Sequence, residues 1–206
     1  MMEDMGSVLT RVLLVSLALA GSLSSQVIEF ESNGYRYKTL TKNGLTIMFA
    51  ALPAHVREYS ILQVSVSNGS RSVYSLKPED FVFYREDGSE LPASPTREVI
   101  NELIQKASRH DVIRLVTAYE NGLYGNTQYK STNGYESRRQ NALAETAKIK
   151  AAAAASAIAF VPTKLTPGQS TDGAVFYATA GKPMGPGKLV VRVGGLVYEF
   201  PVVSSN

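Results

Sequence analysis

The chain has 206 residues with no cysteine, 21 lysines and arginines, 18 aspartates and glutamates, and a formal net charge of +3. Absence of cysteine excludes disulfides, thiolate metal sites, a cysteine nucleophile and a lipid anchor on cysteine. The mild, dispersed positive balance lacks the concentrated basic face of a nucleic-acid binder, and the length suffices for one domain stabilised by burial alone.

The first feature in chain order is an apolar run at residues 12–21 (VLLVSLALAG), preceded by Arg11 and followed by small residues. That order is the order of a secretory signal peptide. The run is shorter than the about 20 apolar residues that span a bilayer. Ala18-Leu19-Ala20 fits cleavage after Ala20, with later sites among residues 22–25, so residues 1–25 are assigned to the signal. Glu3 and Asp4 are out of character for such a leader and point to initiation at Met5. Without Glu3, Asp4 and Arg11 the remainder holds 20 basic and 16 acidic residues, a net of +4. No transmembrane segment is expected within it.

Residues 35–40 (YRYKTL) and 45–52 (LTIMFAAL) read as strands joined through Asn43-Gly44, the strongest short hairpin signal. In 59–67 (YSILQVSVS), Leu62, Val64 and Val66 share one face with period two, and Gln63 is polar on the other. Asn68-Gly69-Ser70 ends that strand and also spells a glycosylation acceptor, a pattern the turn alone accounts for. A turn at Lys77-Pro78-Glu79-Asp80 leads into a strand at 81–84, closed by Glu86-Asp87-Gly88.

At Ser94-Pro95 the pattern changes. Serine as N-cap with proline at the first helical position starts a helix, and Val99, Ile100, Leu103, Ile104 and Ala107 follow at helical spacing. Residues 108–111 break it. Asp111 then caps a second stretch carrying Val112, Ile113, Leu115, Val116 and Ala118, ending near Asn121-Gly122. Residues 123–135 (LYGNTQYKSTNGY) read as a long polar loop. Residues 136–156 are helical by propensity, with an alanine run and few large apolar side chains.

Strand character returns at 157–165 (AIAFVPTKL) and, past the turn Thr166-Pro167-Gly168-Gln169, at 173–179 (GAVFYAT). Residues 188–193 and 196–203 form a last hairpin across Gly194-Gly195. Seven or eight short strands separated by turns predict a mainly β protein, an antiparallel β-sandwich, with a helical insertion of two or three helices at about 96–156.

The runs at 64–91 (VSVSNGSRSVYSLKPEDFVFYREDGSEL), 165–177 (LTPGQSTDGAVFY) and 189–202 (LVVRVGGLVYEFPV) resemble exported bacterial immunoglobulin-like domains of unknown function. The shared pattern is a strand ending in Asn-Gly, a Pro-Asp-Phe strand, and a Pro-Gly turn before Gly-x-Val-Phe. The resemblance implies one immunoglobulin-like domain over 26–206. It implies no catalytic site, because the fold hosts unrelated functions. The helical insertion departs from that family, whose connection here is short.

The two histidines are His55 and His110. His110-Asp111 matches an adjacent pair of some metal-dependent hydrolases, but the missing ligands weigh against a metal site, and Asp111 as a helix cap accounts for the pair. No Gly-x-Ser-x-Gly elbow is present. Glu79, Asp80, Glu86 and Asp87 fall in turns, where capping explains them better than a convergent glycosidase pair. Gly122-Leu123-Tyr124-Gly125 runs into a polar loop, not a helix, so no phosphate cradle is read there. No catalytic residue, metal or cofactor is expected.

Tyrosines 119, 124, 129 and 135 recur every five or six residues. Tyr with Ser, Gly and Asn is the composition of adaptable recognition loops; the alternative is that the rings cover neighbouring helices. Residues 96–155 also hold nine basic residues against six acids. The expected function is a non-enzymatic binding module, exported to the periplasm or beyond. Its partner is an envelope or secreted protein or a glycan, contacted by Tyr124, Tyr129 and Tyr135 with Arg138 and Arg139 as charge-assisted donors. Two alternatives are an assembly role through an exposed sandwich edge strand and a metal-assisted hydrolase using His110 and Asp111.

Overall fold

The computed structural model describes residues 26–53, 57–106, 117, 119 and 156–202. The chain starts with a meander of four strands: β1 (Ile28–Ser32), β2 (Tyr35–Lys42), β3 (Leu45–Ala51) and β4 (Tyr59–Asn68). Short β5 (Tyr74–Leu76) and a 3-10 turn at Pro78–Asp80 lead to β6 (Phe81–Arg85) and β7 (Glu90–Pro92). Helix α1 (Thr96–Lys106) follows. Then come β8 (Thr163–Leu165), β9 (Ser170–Ala178), β10 (Gly187–Val193) and β11 (Leu196–Val202).

The strands form a five-stranded sheet in the order β1-β2-β3-β4-β9, a four-stranded sheet β11-β10-β6-β7 and a small β5-β8 pair, all antiparallel. Three hairpins close through two-residue turns with both φ values positive: Asn33-Gly34 (50° and 77°), Asn43-Gly44 (49° and 78°) and Gly194-Gly195 (56° and 76°). Such turns match the right-handed twist of the strands they join, which is why Asn-Gly and Gly-Gly are favoured there. The hairpins at 43–44 and 194–195 stand where the sequence places them. β1, β5, β7 and the hairpin at 33–34 are not among the elements expected from the sequence.

Alternate residues of both large sheets meet in one core. Leu45, Ile47 and Phe49 from β3 and Leu62, Val64 and Val66 from β4 share it with Phe81, Phe83, Leu189, Val191, Tyr198 and Phe200. Phe49 and Phe200 meet edge to face at 5.1 Å. The buried Tyr198 hydroxyl lies 2.9 Å from the Leu45 carbonyl and 3.1 Å from that of Lys42, tying the four-stranded sheet to the β2–β3 turn. The protein is mainly β, with antiparallel sheets compatible with a β-sandwich.

Two expectations need correction. Of residues 157–165 only Thr163–Leu165 is a strand; Ser156–Ile158 form a helical turn and Ala159 makes one isolated bridge to Ala174. Pro162 lacks the N–H that a continuous ladder needs there. The period-two alternation of β4 is real, with Leu62, Val64 and Val66 in the core, yet its other face is also buried. Tyr59 and Ile61 pack there against Val99 and Leu103 of α1, with Ile158, Ala174 and Phe176 beside them. Val99 and Leu103 are one helical turn apart, the spacing that aligns two side chains on one face. The α1 helix begins next to Ser94-Pro95 as expected, and the Pro95 carbonyl accepts from the Val99 N–H at 3.2 Å.

The remainder of the expected helical insertion, apart from Thr117, Tyr119 and residues 156–158, lies outside the described residues, as does the expected signal at 1–25. Among the described residues no helix is long and apolar enough to cross a membrane.

Candidate functional site

Tyr124, Tyr129, Tyr135, Arg138 and Arg139 lie outside the described residues, and so do His55, His110 and Asp111. Tyr119, the first tyrosine of that series, is described and fully buried. Its hydroxyl donates to Asp172 Oδ2 at 2.6 Å, while its ring joins the apolar cluster of Ile61, Val99, Leu103 and Phe176. Tyr119 is therefore an anchor on the sheet and not a surface contact.

The floor under Tyr119 is the outer face of β4 and β9. Register places Ser65 opposite Asp172 and Gln63 opposite Ala174. Gln63, Ser65 and Asp172 are all buried, and Asp172 is only 2% exposed. A carboxylate removed from water is costly without hydrogen-bond donors, and the Tyr119 phenol supplies one. Tyr119→Phe keeps the ring and removes that donor. It is expected to lower the unfolding free energy by about 2 kcal/mol, measured by urea titration; an unchanged midpoint would show that the bond carries no weight.

The same face receives the chain on its return. Ile158 and Ala159 belong to the cluster that holds Tyr119, and the Phe160 N–H donates to the Ala174 carbonyl at 2.9 Å. Tyr119 and Ile158, which flank residues 120–155 in sequence, thus share one cluster on this face.

A cleft of about 490 Å³ opens at one end of the sheets, lined by Tyr35, Arg36, Leu52, Pro53, Met184 and Ser60 among others. Its size suits a small molecule. The Ser60 hydroxyl, however, is already within 2.9 Å of Thr179 Oγ1 and donates to the Lys182 carbonyl at 3.0 Å. The cleft therefore offers little free polar chemistry beyond Arg36.

The turn carboxylates do structural work. Asp80 accepts from the Lys77 N–H at 2.9 Å, and its burial raises the carboxyl above the usual range despite that bond. Asp87 accepts from the Ser89 N–H at 2.8 Å, and hydrogen bonds from Ser89 hold it below the usual range. Asn68 is 0% exposed and donates to the carbonyls of Ser72 and Leu165, which leaves its amide inaccessible to glycosylation. Among the described residues no group of three or more His, Cys, Asp or Glu could hold a metal ion.

Asp172 lies outside the residues that the sequence marks as candidates. The signal at Asp172 is an acid directly before the strand-like run 173–179, where aspartate is depleted once the strand extends back to Ser170. Comparison with protein-family models, with curated proteins and with solved structures returns no match.

Proposed function

We propose that the protein is an exported, non-enzymatic binding module: an immunoglobulin-like sandwich that presents residues 120–155 to an envelope or secreted protein or a glycan. The observation that supports it is the double anchorage of that segment on one face of the five-stranded sheet. Before it in sequence Tyr119 bonds to Asp172, and after it Ile158 and Phe160 pack and bond against the same face. Holding both ends reduces the entropy lost when a segment orders on a partner. Tyr124, Tyr129 and Tyr135 then supply broad, rigid contact area, and Arg138 and Arg139 donate charge-assisted hydrogen bonds to acidic groups. Immunoglobulin-like topology rests on the resemblance at 64–91, 165–177 and 189–202, with the shared core of two antiparallel sheets in its favour.

The test is crosslinking capture from envelope extract with the full chain and with a variant carrying Tyr124→Ala, Tyr129→Ala and Tyr135→Ala. Unfolding midpoints of the two are expected to agree. Capture of the partner is expected to fall at least about tenfold, the loss typical of removing aromatic anchors from an interface. Equal capture by both proteins would overturn the assignment of these rings.

A further inference from the structure

The two large sheets have four outer edges, and three of them are closed or blunted. β9 is engaged beyond β4 by the Ser94 N–H to the Phe176 carbonyl at 2.8 Å and by Phe160 to Ala174. β7 is three residues long and ends in Pro92, and β11 carries Pro201. Short strands and prolines are the usual protection of an edge against pairing. β1 has neither. Among the described residues it pairs with β2 alone and is exposed at its first four positions, with Ile28 at 62% and Phe30 at 39%.

The hairpin sets which backbone groups face outward. A two-residue turn makes Ser32 and Tyr35 a hydrogen-bonded pair, and in an antiparallel ladder such pairs alternate. Phe30 and Ile28 therefore direct their N–H and C=O groups to β2. Glu29 and Glu31 direct theirs to the open edge. We propose that this edge is a recognition element independent of residues 120–155, adding an extended polypeptide in which basic residues alternate with aromatic or β-branched ones.

Side-chain chemistry selects that partner. Across β1 and β2, Glu31 faces Arg36, Phe30 faces Tyr37 and Glu29 faces Lys38. Phe30 and Tyr37 stack at 5.2 Å, and Lys38 is ion-paired with Glu29. A strand on the other side meets the same three residues, so bases opposite the glutamates and a ring opposite Phe30 are favoured, while acids there are repelled. Pairing of two β1 strands is disfavoured on the same ground. Every antiparallel register that overlaps most of the strand and lets the outward N–H and C=O groups bond one another puts glutamate opposite glutamate. The occupant is thus a basic segment of another polypeptide and not a second β1 edge.

The probe is a labelled peptide of the β2 sequence, YRYKTLTK, which already has the required alternation. Titrated into the full chain, it is expected to bind saturably. A control peptide with glutamate at its second and fourth positions is expected to bind at least about tenfold more weakly. Glu31→Pro removes an outward N–H while keeping the β1–β2 ladder, and is expected to abolish binding. Glu31→Lys keeps the N–H and is expected to narrow or reverse the preference between the two peptides, which covers the case of a misfolded proline variant. The variant lacking Tyr124, Tyr129 and Tyr135 is expected to bind the peptide normally, separating this edge from the function proposed above. No saturable binding, or binding indifferent to Glu31→Pro and Glu31→Lys, overturns the proposal. Self-association of the full chain that Glu31→Pro removes also overturns it, by assigning the edge to a second copy.

Discussion

Gly173→Ala is expected to lower the unfolding free energy by more than about 3 kcal/mol, in the range reserved for severe core overpacking. A Cβ at position 173 falls 2.3 Å from Phe160 Cα and 2.6 Å from its backbone nitrogen. Neither atom can rotate aside as a side-chain tip can. Relief requires moving the chain at residue 160, whose N–H bonds to Ala174 and whose ring packs edge-on against Phe81 at 5.3 Å. Ile158 then shifts as well, so the return anchor of residues 120–155 weakens along with the core. Gly185→Ala is the comparator: its φ of 74° strains an alanine, but no atom lies within 4 Å of the added carbon. It is expected to cost about 1 kcal/mol. Urea unfolding of both variants decides the matter, and equal losses would remove the close approach at Phe160 as the cause.

Stability is expected to fall steeply above about pH 10, the usual tyrosine range. Burial pushes the Tyr177 hydroxyl far above that range in the folded chain. It raises Tyr198 as well, and Tyr59, whose hydroxyl also donates to Glu102 at 2.7 Å. The unfolded chain ionises these phenols first and binds fewer protons than the folded chain. Stability is therefore complete below the unfolded value and lost as pH rises toward the folded one. Tyr177 alone contributes a slope of about 1.4 kcal/mol per pH unit in that window. Urea midpoints from pH 8 to 11 measure it, and Tyr177→Phe is expected to flatten the decline. A flat profile for the original protein would show that Tyr177 ionises without unfolding the sheet.

The elements that the sequence makes legible are those governed by local rules. Asn43-Gly44 and Gly194-Gly195 announce their hairpins because few residues adopt two successive positive φ values. Ser94-Pro95 announces α1 because the fixed proline φ suits the start of a helix, which begins at Thr96. Asn33-Gly34 carries the same signal but is not legible as a hairpin, because β1 is too exposed to show an apolar face. The outer face of β4 was illegible for a different reason. Whether Gln63 and Ser65 meet water depends on what lies over the sheet, and Tyr119, bonded to Asp172 opposite Ser65, is distant in sequence from both. Tyr119 shows the limit of composition: it opens a tyrosine series that runs on into a loop-like stretch, yet a buried carboxylate on β9 decides its role. For Tyr124, Tyr129, Tyr135, Arg138 and Arg139 the composition remains the basis of the proposal.

The pairing of β4 with β9 also governs the order in which the chain matures. Ser67 and Ser170 face each other at the closed end of that ladder, 103 positions apart. The β1–β4 meander needs only short loops and forms within microseconds to milliseconds of its synthesis. β9 comes much later, and closing so long a loop slows the step further. Until it arrives, β4 is a long, apolar, unpaired edge in the nascent chain. A chain crossing a membrane unfolded postpones that exposure to the far side. Docking of β9 is then the committing step of folding, and the interval before it is when aggregation or a holding chaperone competes for β4.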